Sequence, residues 1–177
     1  WEVYGLTLLY GQKTWEKEKL TACQVAGKLK IVRHRVIDLS WLPELARSGL
    51  TDRETVMAFE NRVLAYVPFR NTIFLSVAVA WAESIGAGEV VIGSHRSDTI
   101  CPDNSPEYIG AFKEVVRLGT MARPPIAVVA PFIDVKKAEV VRQGIALGTP
   151  LHLTWSCYNT QDVACGQCTN CLDRLAA

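Results

Sequence analysis

Four cysteines stand in the last 21 residues of this 177-residue chain: Cys157, Cys165, Cys168 and Cys171, spaced C-x7-C-x2-C-x2-C. Four thiolates can close a tetrahedral shell around one metal ion, and a C-x2-C pair supplies two ligands from one tight turn. Gly166 sits inside the first such pair, where the backbone must bend sharply. Four protein sulfurs leave no position for water, so the expected ion is a structural Zn2+. Two other uses of the cysteines stand beside this one. Disulfides suit small secreted scaffolds, yet this chain is 49% hydrophobic and long enough to build a core without covalent staples. No signal peptide is expected, and Cys23 and Cys101 lie far away in sequence. An iron–sulfur cluster is the third reading, because C-x2-C-x2-C opens a ferredoxin-type run. Here Leu172-Asp173-Arg174 follows, where that run continues to another cysteine and a proline.

Composition narrows the function classes. Lys and Arg number 19 and Asp and Glu 18, a formal net charge of +1. No global basic field exists to attract nucleic acid, so direct RNA or DNA binding is not expected. Apolar runs read as about ten residues or fewer, too short for a bilayer, and a cytoplasmic protein without a membrane partner is expected. The length suits one α/β domain over residues 1–150, followed by a small zinc-bearing module over 151–177.

The elements that must position these residues alternate in type. Strands are expected over 3–9, 31–39, 89–93 and 126–130, each a short apolar or alternating run. Helices are expected over 15–30, 71–85, 107–118 and 136–147, with a short one near 41–46. Leu20, Cys23, Val25, Ala26 and Leu29 share one side of the first helix, where Cys23 would act as a small hydrophobe. Gly86 and Gly148 fall just past helix ends. Residues 48–65 and 94–106 read as polar loops. This order predicts a mainly parallel sheet with helices on both faces. Ligands of such sheets bind beyond the carboxyl ends of the strands, which brings Tyr10-Gly11-Gln12, residues 93–103 and the segment after Pro131 to one rim.

Several segments together resemble a known family. They are LLYGQ at 8–12, YVPFRNTIFLSVAVAWAESIGAGEVVIG at 66–93, SDTICPDNSPEY at 97–108, APFIDVKKAEVVRQGIALGTPLHLTWSCYNT at 130–160 and CGQCTNCLDR at 165–174. The chain is similar to the 7-cyano-7-deazaguanine synthase family. The resemblance implies an adenine nucleotide alpha-hydrolase-like, Rossmann-like fold. It implies conversion of 7-carboxy-7-deazaguanine, ammonia and ATP, with Mg2+, into the nitrile used for queuosine or archaeosine. A homodimer is compatible with it. It also implies a strand, an SGGxDS phosphate loop and a helix ahead of Trp1, so a longer chain is expected. The alternatives are a partner-dependent or non-catalytic zinc module that has lost the loop, and a tRNA sulfur transferase with a cluster.

The resemblance assigns Tyr10, Gln12, Arg70, Asn71, Gly93, Asp98, Asp103 and Lys137 to the substrate and ATP site. An Arg70 guanidinium suits phosphate or carboxylate, as the resemblance implies, whereas spacing alone favours Asn71 as helix cap and Arg70 in a surface ion pair. Asp98 or Asp103 would accept base N–H groups or hold Mg2+, or else build turns beside Pro102. The Gln12 amide would read a base edge, or Gly11 would need an unusual backbone with its neighbours packed around it. Lys137 would reach a phosphate or remain exposed. Trp155 would pack, shield the metal or stack on a base. No catalytic residue is assigned. Among departures from the family pattern, Asn104 stands where a cysteine is common, and Lys13-Thr14 follow the YGQ motif.

Overall fold

The computed structural model describes residues 1–98 and 100–177. Thr99, inside the loop read over 94–106, lies outside the described residues. The chain forms two compact units, residues 1–68 with 141–177, and residues 69–140.

The first unit is built on β1 (Tyr4–Leu9), α1 (Trp15–Lys28) and β2 (Arg33–Asp38). The two strands pair in parallel, from Tyr4 against Arg33 to Leu9 against Asp38, and α1 is the crossover such a pair requires. Residues 42–44 and 62–65 form single 3-10 turns. The apolar side of α1 differs from expectation. Ala26 is buried, but Leu20 and Leu29 are each 53% exposed and Cys23 is exposed. Cys23 is therefore not a core hydrophobe: α1 rests on two strands, and its outer flank has nothing over it among the described residues.

The second unit holds α2 (Arg70–Ile85), β3 (Glu89–Val91), α3 (Pro106–Gly119) and β4 (Ala127–Val129). β3 and β4 are again parallel, with Val90 opposite Val128. Leu75, Val79 and Ala82 of α2 and Ile109, Phe112 and Val116 of α3 close over Val90, Ile126 and Val128 as one core. The ends of these helices follow from their residues. The Ser105 hydroxyl accepts the Tyr108 N–H at 3.1 Å and Pro106 occupies the first turn, which starts α3. Gly86 takes φ +71°, and its N–H returns to Ala82 and Glu83, which ends α2.

The chain is thus α/β with parallel strands joined by helices, as the alternation predicts. The described strands pair two by two, and β3 and β4 have three residues each. α4 (Lys137–Ala146) and α5 (Thr169–Leu175) complete the order. One segment, the 24 residues Arg62–Ile85, contains an 18-residue window of mean hydropathy 1.5, enough to cross a membrane by length and composition alone. Phe69, at φ +59°, interrupts it. α2 itself has 16 residues, short of the ~20 a bilayer needs, and buries Leu75, Val79 and Ala82 in its own unit.

Candidate metal centre and candidate substrate residues

The four predicted ligands converge. Their sulfurs all lie within 4.8 Å of one another, and the Cys165 and Cys171 Sγ atoms are 4.0 Å apart. Sulfurs about 2.3 Å from a central ion in a tetrahedron are separated by about 3.8 Å, so the set fits one metal ion such as zinc. All six cysteines are free, which removes the disulfide reading. The spacing leaves no volume for the several irons and sulfides of a cluster between the thiolates.

Local structure explains the convergence. Gly166 adopts φ +71°, the turn a C-x2-C loop needs. Cys168 caps α5 and Cys171 stands one turn on, so the two share a helix face. Backbone N–H groups point at the sulfurs: those of Asn159 and Cys165 at Cys157, and that of Cys168 at Cys165, each at 3.4 Å. Burial pushes the Cys157 thiol up, but these N–H groups and the Thr160 hydroxyl outweigh it and bring the pKa down to about 6. Burial and then the Cys168 side chain push Cys171 up to about 12. A divalent ion held among the four sulfurs would supply positive charge and displace their protons. Trp155 donates its indole N–H to the Cys157 carbonyl at 3.1 Å, and the Lys17 ammonium lies 5.0 Å from its ring centre. It is a structural neighbour of the ligand loop.

Tyr10 and Gln12 belong to the first unit and are 7% and 2% exposed. The Gln12 carbonyl accepts the Tyr10 N–H at 2.8 Å, and its NH2 donates to Glu18 at 3.0 Å. Both ends of the amide are engaged within the protein. Gly11, at φ +80°, has no room for a side chain: a Cβ would lie 2.6 Å from Pro43 Cγ. The glycine reading of this motif is the one the geometry supports.

The other candidates belong to the second unit. Asp103 is 4% exposed. Its Oδ2 accepts the N–H groups of Asn71 at 2.8 Å and Thr72 at 3.2 Å, and Oδ1 accepts the Asn71 side-chain amide at 3.3 Å. The residue preceding α2 is Phe69, in the left-handed region, and supplies no cap. Asp103 therefore caps α2 from 32 residues away, and Asn71 is the capped residue rather than the cap. The N-terminus of α2 is already occupied by a carboxylate. Arg70 lies 6.0 Å from the Phe74 ring centre. Its guanidinium and the Asp98 and Asp103 carboxylates all act on the buried Cys101 thiol, which burial, first, and Asp98 push up to about 11. Gly93 is exposed, and a Cβ there would meet open space. The Lys137 backbone N–H opens α4 by donating to the Ser97 hydroxyl at 3.3 Å.

The profile of queuosine biosynthesis protein QueC matches residues 1–177. Relatives named 7-cyano-7-deazaguanine synthase are similar along nearly the whole chain. That of Nostoc punctiforme is 42% identical over 99% of this chain and 83% of its own length. Those of Acidobacterium capsulatum and Chlorobaculum parvum are 40% and 38% identical, over 100% and 99% of this chain and 81% and 80% of theirs. The chain belongs to the QueC family.

Within this QueC-family chain, sequence reasoning missed Asn159 and Thr160. Both follow Cys157 closely in TWSCYNT, and proximity to a ligand is the signal that could have found them.

Proposed function

We propose that the protein is an ATP-dependent carbon–nitrogen ligase that converts 7-carboxy-7-deazaguanine and ammonia into 7-cyano-7-deazaguanine. One observation carries this reading: relatives of that name share 36–42% of their residues with it along nearly its whole length. A carboxylate is a poor electrophile. Its oxygen attacks ATP phosphorus, and the resulting phosphoryl or adenylyl ester carries a leaving group. Ammonia displaces that group and loses a proton to give the amide. A second activation of the amide oxygen, with loss of two protons, leaves the nitrile. Arg70 is the proposed carboxylate or phosphate partner, where a planar fork donates in pairs. Lys137 is the proposed phosphate contact, and Gly93 keeps space for a ligand. Of the two loop carboxylates, Asp98 is left to meet base N–H groups or Mg2+, because Asp103 is committed to α2. Mg2+, when bound with ATP, neutralises charge developing on the phosphates. The four-cysteine centre is proposed to hold zinc in a structural role. The partners are small molecules, with neither nucleic acid nor membrane required, and a cytoplasmic location follows from such a role.

Incubation of the purified protein with 7-carboxy-7-deazaguanine, ammonium and Mg·ATP, read by mass spectrometry, tests the reading. Nitrile formation that requires all three supports it. ATP hydrolysis without nitrile, or no reaction at all, overturns it.

A further inference from the structure

Residues 51–61 contain no helix or strand, yet Met57 in their midst is 1% exposed. Backbone in an irregular segment needs partners from elsewhere. The Asn159 side chain provides two. Its Oδ1 accepts the Met57 N–H and its Nδ2 donates to the Met57 carbonyl, both at 2.8 Å and across 102 residues of sequence. That amide mimics the paired bonds of a neighbouring strand. Asn159 is equally committed to the metal centre: its backbone N–H points at Cys157 Sγ at 3.4 Å, and Nδ2 at Cys165 Sγ at 3.6 Å. Lys13 holds the same loop from another side. Its ammonium donates to the Thr55 carbonyl, and its backbone N–H donates to the Leu50 carbonyl at 2.9 Å. The Thr169 hydroxyl, in the helix carrying Cys171, reaches the Ala58 carbonyl at 3.5 Å.

We propose that Asn159 is a positioning residue of the metal centre, tying residues 51–61 to its sulfurs so that metal occupancy decides whether this loop is ordered. The chemistry is direct. A thiolate accepts N–H bonds far better than a thiol does, and a bound divalent ion keeps all four sulfurs as thiolates. The centre therefore fastens a loop about a hundred residues upstream as well as its own module. This rests on the metal reading of the four cysteines.

The test is hydrogen exchange of the whole protein, zinc-loaded and chelator-stripped, together with chelator competition for N159A. In the wild type, stripping is expected to raise exchange at Met57 at least tenfold while β1 and β2 keep their protection. N159A should still bind zinc but release it 10- to 100-fold more readily, the usual effect of losing an outer partner, with Met57 deprotected. Met57 equally protected with and without zinc overturns the proposal, as does unchanged zinc affinity in N159A. If N159A does not accumulate, the paired wild-type measurements decide. A wild type that takes up no metal overturns the four-cysteine reading itself, a different outcome from zinc bound beside an indifferent loop.

Discussion

Removing the Asp103 carboxylate separates its two possible roles. In the structure it accepts three hydrogen bonds at the start of α2, from the Asn71 and Thr72 backbone N–H groups and the Asn71 side chain. A hydrogen bond to a charged group contributes about 1.5–3 kcal/mol, and loss of a helix N-cap costs about 0.5–2 kcal/mol. These terms overlap, because the cap is made of two of the bonds. Asp103→Ala strips all three from a site 4% exposed, and Asn71, at 9%, has little water to turn to. We expect a loss of about 3–4 kcal/mol, a large share of the roughly 5–15 kcal/mol that holds a domain together. Asp103→Asn keeps a carbonyl oxygen for the backbone N–H groups but loses the charge favoured at a helix start, and should cost about 1–2 kcal/mol. Urea unfolding followed by far-ultraviolet circular dichroism measures both. The order Ala worse than Asn, with α2 melting early, is the expected result. If both variants unfold with the wild type while nitrile formation is abolished, the capping argument fails and Asp103 touches substrate instead.

Other expectations concern the cysteines and glycines. Cys168→Ser should lose the metal and unfold residues 157–171 locally, and a full metal equivalent measured in that variant by elemental analysis would remove Cys168 from the ligand set. Burial and Asp98 raise the Cys101 thiol to about 11. Because only the thiolate reacts, Cys101 should alkylate about tenfold faster per pH unit between pH 8 and 10, far behind exposed Cys23 throughout, as mass spectrometry of the native protein will report. Gly11→Ala forces a side chain into the left-handed region and onto Pro43, and should cost at least about 1–2 kcal/mol in urea unfolding. Gly93→Ala meets open space and should leave stability within about 0.5 kcal/mol. A rise in KM for that variant would mean that a ligand approaches there.

Much of the scaffold was legible because its signals are local. Gly86 announces the end of α2, and the cysteine spacing a knuckle around Gly166. What sequence could not supply is contact across distance. Periodicity places Leu20, Cys23 and Leu29 on one side of α1 but says nothing of what covers that side, and the structure leaves all three exposed. The same limit explains the polar residues. A buried helix start or an irregular strand end has N–H groups that must be met, and a carboxylate or amide brought there by the fold meets them. Asp103 and Gln12 are spent in this way, one on α2 and one between Tyr10 and Glu18. Residue type and spacing cannot distinguish such a side chain from one reserved for substrate, since both must be polar and both sit near a rim. The distinction lies in whether the polar atoms already have partners inside the protein. By that criterion Gln12 and Asp103 leave the list of candidates first, because their polar atoms are already met within the protein, and a search for the groups that activate a carboxylate should not begin with them.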